Sequence, residues 1–119
     1  MPNPYGAPEV TVQEINAKRQ AGETFLWLDV REQDEVHTVQ ITDKRITVLP
    51  LSELAQRQLA ALPSQAQAQD AEIVVFCHHG MRSAQVTSWL LQQGWTNVKS
   101  MAGGIDAWAH EIDPTIGTY

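Results

Sequence analysis

Cysteine is almost missing from this chain, since Cys77 is the only one among its 119 residues. A single cysteine cannot form an intramolecular disulfide, which excludes a small secreted fold held together by disulfides. Long apolar runs are missing too, and no segment approaches the ~18 residues typical of a membrane-spanning helix. Residues 1–6 lack the basic and apolar regions of a signal peptide. We therefore expect a soluble, cytoplasmic protein.

Basic residues are also scarce. The 8 Lys and Arg residues are outnumbered by 14 Asp and Glu residues, and the net charge is -6. No basic patch of the kind used to bind nucleic acid is visible, so neither nucleic acid nor a membrane is an expected partner. Apolar residues make up 43% of the chain, enough for a core without a structural metal. The length fits one domain over 1–119, with a core at about 10–112 and short tails.

Hydrophobic periodicity predicts strands that alternate with helices. Thr11 and Glu14 form a capping box before the first helix. The predicted helices are 12–21, 51–62, 83–93 and 105–112, with a helical turn at 32–37, and the predicted strands are 25–30, 46–49, 73–76 and 97–101. This alternation predicts an α/β fold with a mainly parallel sheet and helices on both faces. Ligands bind beyond the carboxyl ends of the strands in such sheets.

The cysteine lies at such a strand end. The segment Cys77 to Ser83 joins the predicted strand 73–76 to the predicted helix 83–93. A helix N-terminus favours an anion, because its first N–H groups have no partner within the helix and the positive end of the helix dipole lies there. Arg82 adds a positive charge nearby. Together these features should increase the thiolate fraction of Cys77 at neutral pH.

The same loop also predicts a site for an anionic substrate. It contains no proline, so every residue after the cysteine offers a backbone N–H: His78, His79, Gly80, Met81, Arg82 and Ser83. Gly80 can take a positive φ, which lets consecutive amides converge on one anion. The guanidinium of Arg82 either binds an oxyanion of the substrate through two hydrogen bonds or stays solvated at the start of the helix. The sequence does not distinguish between these two positions.

Two other interpretations of this segment are open. Cys77 could be an inert core cysteine, since free cysteine is often buried. Cys77, His78 and His79 could also suggest a metal site, but zinc ligands are usually separated by two or more residues. We therefore expect no metal and no cofactor. His37 and His110 are isolated in the sequence and are read as ordinary histidines.

Three motifs in chain order carry a family resemblance. They are Asp29-Val30-Arg31-Glu32, Cys77 with Arg82 five residues on, and Gly103-Gly104-Ile105-Asp106-Ala107-Trp108. From about Val10 to Ile112 the chain resembles rhodanese domains. The resemblance implies a central five-stranded, mainly parallel sheet and a cysteine that becomes a persulfide. It also implies a small sulfane-sulfur donor such as thiosulfate and a thiophilic acceptor, which is cyanide in vitro or an acceptor protein.

The resemblance extends to supporting residues. It implies that Asp29 and Arg31 pack near the loop and support it, that Gly103 and Gly104 form a tight turn, and that Trp108 belongs to the core. The chain departs from the family between Val36 and Pro50, where a Gly-His-Ile-x-Gly-Ala stretch is usual and His37-Thr38-Val39-Gln40-Ile41-Thr42-Asp43-Lys44-Arg45 stands instead. Its tail, 113–119, is similar to the ends of rhodanese domains fused to adenylating enzymes.

Two rival functions remain open. Related cysteine phosphatases and arsenate reductases place five residues between the cysteine and the arginine, whereas four intervene here, His78 to Met81. The smaller loop should suit a sulfur atom better than a phosphate, because loop circumference decides which anion fits among the amides. The second rival is a rhodanese-like binding module or sulfur carrier without catalysis. Such modules usually lack the cysteine that this chain retains.

Overall fold

A five-stranded parallel sheet forms the centre of the molecule. The computed structural model describes residues 3–119, so Met1 and Pro2 of the expected domain lie outside the described residues. The strands are β1 (Glu9–Val10), β2 (Leu26–Asp29), β3 (Ile46–Val48), β4 (Ile73–Phe76) and β5 (Val98–Met101). Their order is β1-β5-β4-β2-β3, and every neighbouring pair is parallel. The five-stranded parallel sheet implied by the family resemblance is confirmed.

Periodicity alone missed one strand, β1. It contains only two residues, too few to show an alternating pattern. β1 is recognised as a strand by its pairing with β5, in which Glu9 is paired with Ser100 and Val10 with Met101. A strand of this length is fixed by its place at the sheet edge rather than by its own composition.

Within residues 3–119, four α-helices connect successive strands and a fifth follows β5. They are α1 (Val12–Gln20), α2 (Gln33–Thr38), α3 (Leu51–Arg57), α4 (Met81–Gln92) and α5 (Gly104–Glu111). The capping box is confirmed, since the Glu14 amide donates to the Thr11 hydroxyl at 3.1 Å and the Thr11 amide donates to the Glu14 carboxylate at 3.0 Å. The predicted helix over 51–62 is too long as an α-helix. Gln58 takes a φ of 54°, where α3 ends and a 3₁₀ turn over Gln58–Ala61 begins.

The core lies on both faces of the sheet, as expected for this fold class. Alternate residues of a strand point to opposite faces. Leu28 of β2 packs on one face with residues of α3 and α4, whereas Trp27 packs on the other face with residues of α1 and α5. Trp108 of α5 is buried against the Trp27 ring at 5.2 Å between ring centroids. All residues of β2 and β4 are buried, as is usual for central strands of a parallel sheet.

This topology brings the carboxyl ends of three strands to one edge of the sheet. Arg31 follows β2, Cys77 follows β4, and Gly103 follows β5. Since β5, β4 and β2 are adjacent, the three motifs named above meet at this edge. Among residues 3–119, no helix is long and apolar enough to cross a membrane.

Candidate functional site

The sulfur of Cys77 lies in a ring of hydrogen-bond donors. Its Sγ accepts from the backbone N–H of Gly80 at 3.2 Å and from that of Ser83 at 3.3 Å. Gly80 has a φ of 104°, which is strained for any residue with a Cβ and turns its amide inward. Because α4 begins at Met81, Sγ also faces a helix N-terminus. Sγ therefore lies against two N–H donors and the positive end of a helix dipole.

The N-terminus of α5 holds the outer side of this loop. The Ile105 amide donates to the Cys77 carbonyl at 2.8 Å, and the Asp106 amide donates to the His78 carbonyl at 3.1 Å. A Cβ at Gly104 would overlap both carbonyl oxygens, so only glycine permits this approach. The loop carbonyls are therefore satisfied from outside, which leaves its amides free to point toward the sulfur.

A pair of buried serines lies below the sulfur. Ser83 and Ser100 are both fully buried, and their hydroxyl oxygens are 2.7 Å apart. The Ser83 Oγ is also 3.5 Å from Cys77 Sγ. Ser100 was not among the predicted site residues. It belongs to β5, where it is paired with Val75 of β4, and α4 packs against β5 and brings Ser83 to it.

Arg82 is bound to a carboxylate of this chain. Its Nη1 and Nη2 atoms donate to Oε1 and Oε2 of Glu35 at 2.6 and 2.8 Å. This two-point hydrogen bond with Arg82 lowers the pKa of Glu35 to about 2. The sequence left the direction of the Arg82 side chain open, and the structure directs it toward α2. Glu35 was missed because nothing in the segment 32–37 marks one of its acidic residues as special.

Asp29 and Arg31 form a second, buried ion pair. Their side chains are 2% and 0% exposed, so the charges can only be stabilised by each other and by nearby polar groups. Arg31 donates from Nε to Asp29 Oδ1 at 3.0 Å and from Nη2 to Oδ2 at 2.8 Å. Its Nη1 donates to the Val39 carbonyl at 2.8 Å and to the Tyr119 hydroxyl at 3.2 Å. The pair thus anchors the segment after α2 to the end of β2.

Tyr119 connects these residues to the cysteine loop. Its hydroxyl donates to Oε2 of Glu35 at 2.8 Å, and its ring stacks on that of His78 at 3.8 Å with only 6° between the planes. His79 stacks on His78 as well, at 3.8 Å. Burial lowers the pKa of His78, and the neighbouring His79 lowers it further. Sequence reasoning missed Tyr119 because no local pattern links it to a loop some forty positions earlier.

One group of side chains could approach a cation. Atoms of His78, His79 and Asp106 that could ligate a metal lie within 4.8 Å of one another. Asp106 belongs to α5, which brings it to the two histidines from a distant part of the chain. The two imidazole rings are stacked on each other. His79 Nδ1 lies 3.8 Å from Asp106 Oδ2, within the range of an ion pair.

The comparison with known families decides the identity. Residues 11–111 match the family described as "Rhodanese-like domain". The chain belongs to this family. Solved rhodanese-like structures share the fold over most of the chain. The human single domain sulfurtransferase TSTD1 matches with a TM-score of 0.69 and 26% identity, over 89% of this chain and 98% of that one. A rhodanese-related protein from Thermoplasma volcanium matches with a TM-score of 0.70 and 28% identity, over 88% and 93%.

Several relatives of this rhodanese-like domain are named as sulfurtransferases. The "Adenylyltransferase and sulfurtransferase MOCS3-1" of Zea mays is 30% identical over 92% of this chain, which spans only 23% of the maize protein. A "Sulfurtransferase" of Allochromatium vinosum is 29% identical over 91% of this chain and 94% of its own length. The "Thiosulfate sulfurtransferase GlpE" of Haemophilus influenzae is 44% identical over 50 residues, 42% of this chain and 48% of its own. Sulfurtransferase relatives thus support transferase chemistry at the level of the family.

Proposed function

We propose that this rhodanese-like domain is a sulfurtransferase that carries sulfane sulfur as a persulfide on Cys77. The observation that carries the proposal is the position of Sγ, which accepts two backbone N–H bonds at a helix N-terminus. A thiolate is the form of cysteine that attacks sulfur, and these two N–H groups are placed to donate hydrogen bonds to it. The proposed donor is a small sulfane-sulfur compound such as thiosulfate, and the proposed acceptor is a thiophile such as cyanide or an acceptor protein.

The proposed reaction has two balanced steps. The Cys77 thiolate attacks the outer sulfur of thiosulfate, a new S–S bond forms, the S–S bond of the donor breaks, and sulfite leaves with the electron pair. Cyanide then attacks the outer sulfur of the persulfide and forms a C–S bond. The bond between that sulfur and Sγ breaks, thiocyanate leaves, and the Cys77 thiolate is restored. Such a sequence gives ping-pong kinetics.

The loop supplies the remaining proposed roles. The backbone N–H groups from His78 to Ser83 are the proposed binding groups for a donor oxyanion and the charged outer sulfur, because anions bind where consecutive amides converge. Those of Gly80 and Ser83 already donate to Sγ. Asp29 and Arg31 support the site indirectly. Arg31 donates to the Glu35 carbonyl at 3.3 Å, while the Glu35 side chain holds Arg82 at the start of α4. Neither Asp29 nor Arg31 forms a hydrogen bond with Sγ in the described part of the chain.

Intact-mass measurement tests the proposal directly. After treatment with thiosulfate the protein should gain one sulfur atom, and cyanide or a reductant should remove it. Cys77 is the only cysteine, so the added mass can be assigned without further mapping. Cys77→Ser should gain no sulfur and should lose thiosulfate:cyanide activity. Full activity of Cys77→Ser, with its thermal unfolding unchanged, would exclude the proposed role.

A further inference from the structure

The buried contact between Ser83 and Ser100 takes no part in the two proposed steps of sulfur transfer. Both side chains are fully buried, and each hydroxyl is at hydrogen-bond distance from the other. Ser100 forms no other side-chain hydrogen bond in the described part of the chain, whereas Ser83 Oγ also lies 3.5 Å from Cys77 Sγ. A chain of three polar groups therefore runs from β5 through α4 to the sulfur.

The direction of the hydrogen bonds in this chain depends on the charge of the sulfur. When Cys77 is a thiol, its S–H donates to Ser83 Oγ, and the Ser83 O–H is free to donate to Ser100. When Cys77 is a thiolate, it can only accept, so the Ser83 O–H turns toward Sγ. Ser83 Oγ then needs a donor, and Ser100 is the one within reach. Such hydrogen bonds strengthen one another in series.

We infer that Ser100 is a positioning residue which stabilises the Cys77 thiolate by donating to Ser83, and not by contact with the sulfur. The inference rests on the proposed function only in that the thiolate is the proposed nucleophile. Both serines are shielded from water, so water cannot replace the missing donor if Ser100 is changed. Ser100 is paired with Val75 of β4, and Ser83 lies in α4, so both hydroxyls are held on regular backbone and can reorient by rotation of the O–H alone.

The charged groups around the sulfur lie elsewhere. The charged and titratable side chains at the site are Arg82 and its partner Glu35, His78 and His79, Asp106, and the Asp29–Arg31 pair. None of them forms a hydrogen bond with the hydroxyl of Ser83 or Ser100 in the described part of the chain. A change at Ser100 therefore leaves their contacts in place and acts on the serine pair alone.

The pH dependence of Cys77 alkylation by iodoacetamide tests this role. In Ser100→Ala the midpoint should move to higher pH by roughly half a unit, as expected for loss of a hydrogen bond one step from the charge. Thr87→Val is the matched control. Thr87 is equally buried on α4, and its hydroxyl has no partner in the described residues, so its removal should leave the midpoint unchanged.

A double-mutant cycle tests whether Ser100 acts through Ser83. Ser83→Ala should move the midpoint further than Ser100→Ala does, and Ser83→Ala/Ser100→Ala should match Ser83→Ala alone, because the connection is already broken. An unchanged midpoint in Ser100→Ala, or additive shifts in the double variant, would overturn the inference. Alkylation requires no sulfur transfer. The inference can therefore fail while Cys77 still forms a persulfide, and the proposed function can fail while the midpoint still moves.

Discussion

Glu35 holds both guanidinium branches of Arg82, at 2.6 and 2.8 Å. The contact joins α2 to the first turn of α4, next to the cysteine loop. The charge of Arg82 is thus largely balanced by a residue of the same chain before any donor arrives. An anionic donor such as thiosulfate must either rely on the loop amides or compete with Glu35 for the arginine.

Releasing Arg82 should improve the use of an anionic donor. In Glu35→Gln the guanidinium fork is no longer occupied by a carboxylate and can bind the sulfonate end of thiosulfate. We expect KM for thiosulfate to fall by roughly threefold to tenfold. Glu53→Gln is the matched control, because it removes the same charge from the exposed pair of Glu53 with Arg57. A KM that is unchanged in Glu35→Gln, or lowered equally in both variants, would contradict the prediction.

Removing Arg82 should have the opposite effect. Arg82→Ala loses the cation and leaves the Glu35 carboxylate unpaired beside the loop, where it repels a dianionic donor. We expect kcat/KM for thiosulfate to fall by about tenfold. Arg82→Lys should recover only part of the loss, because an ammonium keeps the charge and not the fork. The double variant Glu35→Gln/Arg82→Ala should have a higher kcat/KM for thiosulfate than Arg82→Ala, because the repelling carboxylate is gone. Equal values in these two variants would show that repulsion by Glu35 is negligible.

The same ion pair makes stability depend on pH. The folded-state pKa of Glu35 is about 2, below its ordinary value of 4.5, so folding favours the deprotonated form. The stabilising contribution is complete above about pH 4.5 and is lost as the pH falls toward 2. Urea unfolding between pH 6 and pH 3 should therefore show a shallower loss of stability in Glu35→Gln than in the unaltered protein. Arg82→Ala should flatten the curve in the same way, and equal slopes in all three proteins would refute the assignment.

The buried pair should matter more for stability than for chemistry. Asp29→Asn leaves the Arg31 charge without its carboxylate in a site closed to water. Loss of one partner of a buried ion pair costs about 3–5 kcal/mol, and we expect a drop of this size in the free energy of unfolding. Urea denaturation measures it. Glu53→Ala breaks an exposed pair and should change stability by less than about 1 kcal/mol. Similar effects of both substitutions would contradict the buried character of the pair.

The size of the cysteine loop predicts poor phosphatase activity. Four residues separate Cys77 from Arg82, one fewer than in the related phosphatases considered above. A phosphate needs more converging amides than a single sulfur atom does. Hydrolysis of an aryl phosphate should therefore be slower than sulfur transfer, and insertion of one residue into the loop should improve phosphate binding. Rapid hydrolysis that disappears in Cys77→Ser would favour the phosphatase instead.

Much of the fold could be predicted because its signals are local. β4 coincides with the predicted strand, and the capping box of α1 involves residues only three positions apart. The position of Cys77 at a strand end also followed from the apolar run before it. The two-residue β1 and the break at Gln58 did not follow, since the first depends on its neighbour in the sheet and the second on a single backbone angle.

The unpredicted residues of the site share a different property. Glu35, Ser100 and Tyr119 each meet the cysteine loop or its neighbours from a distant part of the chain. Their residue types are common and carry no motif, so only the three-dimensional arrangement distinguishes them from other glutamates, serines and tyrosines. The family resemblance named Asp29 and Arg31 as supports. It did not indicate that Arg31 donates hydrogen bonds to the segment that departs from the family pattern.

The burial of Cys77, which is only 1% exposed, affects what can react with the site. Under the proposed function, the unloaded thiolate is shielded from bulky oxidants and large thiols, while a small donor can still enter. A second sulfur extends about 2 Å beyond Sγ, one S–S bond length. With the amides of Gly80 and Ser83 already against Sγ, that atom would extend away from both amides. The outer sulfur of the persulfide would then be more accessible than Sγ of Cys77. A large acceptor would therefore react with the domain only when Cys77 carries this second sulfur.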